Sequence, residues 1–149
     1  MKLRPLILSL CASSMLMAPV ALQAAETNPN IVHRQGIFKT VGGHMTALKS
    51  ILVLGFDAQK DVSYHAQGIL DAFAHMGNSF PPGSDKGETK ARKEIWEDMD
   101  TFKQRGKDLR MAAQALKDAS ADKAASLDAF KKMGKACKAC HDDFRKKKK

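Results

Sequence analysis

Five consecutive residues concentrate the chemistry of this sequence: Cys137-Lys138-Ala139-Cys140-His141. Two thiols and an imidazole at this spacing offer three kinds of site. They can hold a metal ion, exchange electrons as a dithiol, or carry a haem through two thioether bonds with the imidazole on iron. On a helix successive residues step about 100° round the axis, so Cys137, Cys140 and His141 project within an arc of about 100°. All three then reach one flat ligand, the sulfurs adding to haem vinyl groups and the imidazole coordinating iron beside them.

The competing readings need features that are not evident here. A thioredoxin-like dithiol places its first cysteine at a helix N-terminus after a strand, where the helix dipole lowers the thiol pKa. Neither a strand pattern nor a helix start precedes Cys137. A zinc site needs a fourth ligand, and no second Cys/His pair has finger spacing. A disulfide between residues three apart closes almost no loop. Haem attachment is favoured, with the dithiol and zinc sites as alternatives. Only Asp142 to Lys149 follow the motif, without methionine or histidine, so any second axial ligand must come from earlier in the chain.

Such a motif needs a helix to carry it and partners to face it. The 149 residues suit one domain with a real core, and 44% hydrophobic with 28% charged residues is ordinary for a globular chain. Apolar residues recur with helical period in four stripes. The first opens with Asn28-Pro29 as cap and first turn, then runs Ile31, Phe38, Val41, Met45, Leu48 and Leu52, with Arg34 on the same face and Gly55 as stop. Gly42-Gly43 weakens it by about 1 kcal/mol per glycine and offers room for a neighbouring group to approach. The second runs Val62, His65, Ile69, Ala72 and Met76, between Asp61 and Gly77-Asn78. The stretch from Phe80 to Glu88, rich in Pro and Gly, is a long loop of the kind that often serves function. The third stripe is Ile95, Met99, Phe102, Leu109, Ala113 and Leu116; the fourth is Leu127, Phe130, Gly134, Cys137, His141 and Phe144, capped by Ser120 or Asp122. The pattern predicts an all-α fold, an antiparallel four-helix bundle with covalently attached haem c between facing helices.

The first residues have a different character. Lys2 and Arg4 precede an apolar run from Leu6 to Met17, and small residues surround Ala24 and Ala25. This predicts a signal peptide over residues 1–24, with the bundle domain at 25–149. A membrane anchor is disfavoured by Ser9, Ser13, Ser14, Pro19 and Gln23, and a lipid anchor at Cys11 by Leu10 before it. Cleavage leaves two cysteines and removes two of the 25 basic residues and none of the 16 acidic ones, taking the formal charge from +9 to +7. An exported basic chain points away from nucleic acid. Lys146 to Lys149 are more simply a solvated tail than a site, their functional reading being attraction to an acidic redox partner or an anionic surface.

With these residues in place, the mature chain resembles the cytochrome c′ family of c-type cytochromes. The resemblance rests on Arg34-Gln35 followed by Phe38, on Glu94-Ile95-Trp96 with Phe102-Lys103, and on Cys137-Lys-Ala-Cys-His141 followed by Arg145 and lysines. It implies that Arg34 and Gln35 bind haem propionates, that Glu94 and Trp96 lie near the haem edge, and that Phe38 faces iron on the distal side. Six-coordinate relatives carry Met at that position. Phe38 cannot ligate, so the resemblance implies five-coordinate iron with His141 as sole protein ligand. Plain core packing is the competing reading of Phe38, and a snorkelling surface residue that of Arg34. Met45, two turns on from Phe38, is the alternative distal ligand. His44 and His65 are simplest as structural histidines.

An open iron beneath an apolar side chain favours NO and CO over O2, because bound O2 gains from a hydrogen-bond donor that this stripe does not offer. The resemblance implies the same ligands, electron transfer with a redox partner protein, a periplasmic location without a membrane attachment after cleavage, and a homodimer through the first two helices. Ile37 or Ile51 would be outward apolar residues for that contact. No acid–base pair or nucleophile constellation is evident, so no enzyme activity is indicated. A six-coordinate electron carrier is the main alternative and a thiol oxidoreductase the weaker one.

Overall fold

The computed structural model describes residues 28–147. The expected signal peptide and its cleavage site after Ala24 lie outside the described residues, as do Lys148 and Lys149.

Four long helices make the framework: α1 (Pro29–Leu52), α2 (Val62–Ala74), α4 (Met99–Asp118) and α5 (Lys123–Phe144). A short helix, α3 (Glu94–Glu97), precedes α4, and one 3-10 turn (Gln59–Asp61) leads into α2. No strand occurs among the described residues; one isolated antiparallel bridge joins Ala91 to Arg145. Packing runs in a ring, α1 on α2, α2 on α4, α4 on α5, and α5 back on α1, the last seam being the thinnest. This is the expected antiparallel four-helix bundle.

Local chemistry explains the helix ends. The Asn28 side chain accepts from the Asn30 N–H at 3.0 Å, and Pro29 occupies the first turn, where its missing N–H is no loss. Asp122, rather than Ser120, caps α5 by accepting from the Ala125 N–H at 2.7 Å. The third stripe is not one helix from Glu94. Asp98 leaves helical geometry (φ −135°, ψ 66°) and its carboxylate accepts from the Thr101 N–H at 3.1 Å. A carboxylate that can cap competes with continuation of the helix, and here it divides the stripe into α3 and α4.

The core is Val41, Leu48, Ile51, Leu52, Val62, Ala66, Ile69, Leu109, Ala113, Leu116 and Met133, with Ala58 and Ala129. Each fully buried Leu, Ile, Val or Met contributes about 1.5–3 kcal/mol. Ile51 belongs to this core at 4% exposure, so it is not an outward residue available for self-association. In α2 the innermost position goes to Ala66 and not to His65, which is half-buried. In α5 the small Ser126 and Ala129 sit innermost with Met133, and Leu127, Phe130 and Cys137 pack beside them.

Gly42 and Gly43 do not host a close approach, since no protein atom lies within 4 Å of where a Cβ would stand. The crowded glycine is Gly68 on α2, where a Cβ would fall 2.3 Å from His44 Nε2. Gly83 (φ +82°) and Gly87 (φ +109°) supply the left-handed backbone that turns the α2–α3 loop.

Candidate functional site

The motif lies inside one uninterrupted helix. Cys137, Cys140 and His141 all fall in α5, well after its N-terminal cap and within two turns of its C-terminal end. Cys137 and Cys140 are free thiols, both half-buried, and Cys137 packs against the core. Burial pushes the Cys140 thiol up to about 11, with Cys137 and Asp143 adding to the rise. Burial also raises Cys137. Thiolates are the nucleophiles of disulfide exchange, so two thiols held protonated at neutral pH are poorly suited to dithiol redox chemistry. His141 is exposed as a residue; partial cover of its ring and the charge of Arg145 lower its pKa, which favours the neutral imidazole that a metal requires.

The end of α5 is held from two sides. The Arg92 N–H donates to the Phe144 carbonyl at 3.0 Å, and the Lys146 N–H to the Lys90 carbonyl at 2.8 Å. From α4, Arg105 Nη2 pairs with Asp143 at 3.0 Å. These contacts fix the turn that carries His141, so the imidazole and both sulfurs keep one relative placement.

Arg34 is 2% exposed and binds the α2–α3 loop with its guanidinium fork. Nη1 donates to the Ser79 carbonyl (3.0 Å) and Ser84 Oγ (2.9 Å); Nη2 donates to the Ser84 carbonyl (2.6 Å) and Thr89 Oγ1 (2.9 Å). It also lies over the Phe80 ring at 4.8 Å. Gln35 Nε2 donates to the Glu88 carbonyl at 2.7 Å. Desolvation lowers the Arg34 pKa, opposed by Asp85; a guanidinium stays charged all the same. Both residues named for propionates therefore gather at one end of α1, on the loop.

Phe38 is 38% exposed and meets Phe73 of α2 edge to face, ring centroids 6.1 Å apart. Met45, deeper on α1, is half-buried against the core. Glu94 pairs with Arg92, whose hydrogen bond draws its carboxyl below the usual range. With Glu97, Asp142 and Asp143 it borders an open cleft of about 470 Å³ beside the end of α5. Trp96 Nε1 donates to the carbonyls of Phe80 and Pro81 at 3.2 and 3.0 Å.

The structure thus brings Glu94 against the end of α5. It links Arg34 to that end through Phe80, Phe102 and Phe144, whose consecutive ring centroids are 4.8 and 5.3 Å apart. Phe38 is paired with Phe73. Sequence reasoning had no place for Phe73, although it lies four residues after Ile69 on the α2 stripe. It also missed Arg105, whose partner Asp143 is remote in sequence.

The donor set fits a haem better than an ion. Two thiols and one imidazole share one helix, the α1–α5 seam is thin, and apolar side chains flank it. Among the described residues no three His, Cys, Asp or Glu side chains converge as a zinc site closed by protein ligands would require.

Comparison with known proteins agrees with this geometry. The family model "Cytochrome C'" matches residues 30–145. A cytochrome c′ of Alcaligenes xylosoxydans xylosoxydans is 43% identical over 132 residues, 85% of this chain and 100% of its own. A solved cytochrome c′ with a ligand-controlled dimer dissociation covers 83% of this chain and 100% of its own, at 29% identity and TM-score 0.74. A nitric oxide complex of a variant cytochrome c prime from Alcaligenes xylosoxidans covers 80% and 94%, at 27% identity and TM-score 0.72.

Proposed function

Because the chain belongs to the cytochrome c′ family, we propose that it is an exported haem protein with five-coordinate iron, binding NO and CO at an apolar distal face and passing electrons. Its cofactor is haem c, attached through Cys137 and Cys140. When bound, haem would supply a redox-active iron that can bind a small diatomic.

The chain's own residues divide the work. Cys137 and Cys140 would anchor the group, and neutral His141, on the turn fixed by Arg92 and Arg105, would be the imidazole that holds the iron. Phe38 stands for the distal wall. Its phenyl has no lone pair to give iron and no proton to give bound O2, and Phe73 braces it from α2. Arg34 and Gln35 are the candidates for the propionates, from the end of α1 where they hold the loop. Glu94 is the candidate at the haem edge. The relative's nitric oxide complex supports NO as ligand.

The observation that supports the reading is the edge-to-face pair of Phe38 and Phe73, two side chains that cannot ligate iron, with Phe38 at the position where the resemblance to six-coordinate relatives would put a ligating Met. The optical spectrum of the ferrous protein tests it. A broad high-spin band that changes on adding NO or CO is expected. A sharp low-spin α-band without CO uptake would establish the closed carrier, with half-buried Met45 the first candidate ligand.

Self-association belongs to the same proposal. Val32, Val53, Leu54, Phe56 and Tyr64 are exposed on α1, α2 and the turn between them, and half-buried Ile37 is on α1. A homodimer through these helices is our reading, supported by the dimeric relative. A sedimentation run on the same sample reads it; a monomer at micromolar concentration would remove that part. Among the described residues no helix is long and apolar enough to cross a membrane.

A further inference from the structure

Away from the haem residues, two imidazoles meet across the α1–α2 seam. His44 Nδ1 and His65 Nδ1 are 3.1 Å apart, with ring centroids 5.4 Å apart and planes inclined at 59°. Neither histidine is used by the haem chemistry.

The contact has a built support. The Nε2 edge of His44 lies on the α2 backbone at Gly68, where a Cβ would fall 2.3 Å away. A glycine inside a helix is less favourable than alanine, and here it makes the recess that seats one ring. With that edge against α2, Nδ1 is the nitrogen presented to His65. Tyr64 packs edge-on against both rings, at 6.0 and 5.1 Å. The spacing is that of a bite as well as of a hydrogen bond. For ring nitrogens about 2.0–2.1 Å from a borderline divalent cation, this separation corresponds to an angle of about 95–102° at the metal, between square and tetrahedral geometry.

We propose that His44 and His65 form a two-histidine binding site for a borderline divalent cation, with Cu2+ preferred over Zn2+ and water completing the coordination. Metal binding replaces the hydrogen bond between the two Nδ1 atoms: the proton on the donating Nδ1 moves to the Nε2 of the same ring, both imidazoles stay neutral, and two Nδ1 lone pairs turn to the cation. Burial and the neighbouring His44 lower the pKa of His65, which keeps it uncharged at neutral pH. The carboxylate of Asp61, in the 3-10 turn just before α2, favours positive charge there. Copper stands above zinc because imidazole donors follow the general order of divalent affinities.

The experiment is a calorimetric titration of the haem-loaded, EDTA-stripped chain with Cu2+ and, separately, Zn2+ at pH 7.5. Saturable uptake near one Cu2+ per chain is expected, with weaker Zn2+ binding. His44→Gln and His65→Gln should each weaken Cu2+ by about tenfold or more, because one ligand cannot chelate. Gly68→Ala keeps both ligands but displaces the His44 ring, so it should weaken Cu2+ as well, while His33→Gln should not. Helicity and the haem spectrum identify variants that are folded, and His44→Gln, on the half-buried α1 side, decides if His65→Gln is not. Copper uptake unchanged in His44→Gln, or absent from the unmodified chain, would overturn the site.

Discussion

Arg34 Nη2 donates to the carbonyl oxygen of Ser84 at 2.6 Å, across fifty residues of sequence. The bond joins the first helix to the longest loop of the described chain. With three companion bonds to Ser79, Ser84 and Thr89, it satisfies acceptors that fold inward, and Phe80 covers the guanidinium. The same loop supplies the two carbonyls that receive Trp96 Nε1.

Arg34→Lys should therefore destabilise the chain. Lysine keeps the charge but lacks the planar fork, so loop acceptors lose charged donors. A loss of about 2 kcal/mol is expected, since hydrogen bonds to charged groups are worth about 1.5–3 kcal/mol each and a lysine recovers part. Chemical denaturation of the haem-loaded chain measures it. Hydrogen exchange should quicken first in the loop. A change within about 0.5 kcal/mol, the range of surface substitutions, would mean the fork is not holding the loop.

On the proposed reading, in which residue 38 faces an open iron, Phe38→Met should close that site. The thioether brings a sulfur donor to the position that the phenyl occupies, with little change in volume. The ferrous spectrum should gain a narrow low-spin α-band, and CO uptake should slow or vanish. An unchanged high-spin spectrum with unchanged CO uptake would show that residue 38 does not face iron.

The α4 cap should respond to acid. The Asp98 carboxyl is held below the usual carboxylate range by its hydrogen bond from the Thr101 N–H. A depressed native pKa adds stability that is complete above the unfolded value and disappears as pH falls through the folded one. The stability lead of the native chain over Asp98→Asn, which keeps the capping oxygen but cannot ionise, should hold at neutral pH and shrink below about pH 4. Thermal melts of both chains across that range check it. A lead independent of pH would place the charge elsewhere.

Much of the chain was legible as a linear pattern because the signals are local. Asn28-Pro29 starts a helix by its own hydrogen bond and ring geometry. Helical spacing of apolar residues placed four long helices, and Cys137, Cys140 and His141 share a face through the helical step alone. Asp98 shows the limit of that reading. Stripe and propensity both run through it, and the competition between a cap and a continuing turn is decided by where α3 must pack.

The amino-acid order by itself determined which groups exist and which lie within one turn: the two thiols with their imidazole, the guanidinium one turn from a phenyl, the glycines free to turn a loop. Only the tertiary structure decided what those groups meet. It committed Arg34 to Ser84, set Phe73 against Phe38, buried Ile51, and seated His44 on Gly68 beside His65. The physical reason is that helical period fixes direction around one axis, whereas contact between helices depends on the rotation and depth at which whole side-chain surfaces pack, a property of all four at once.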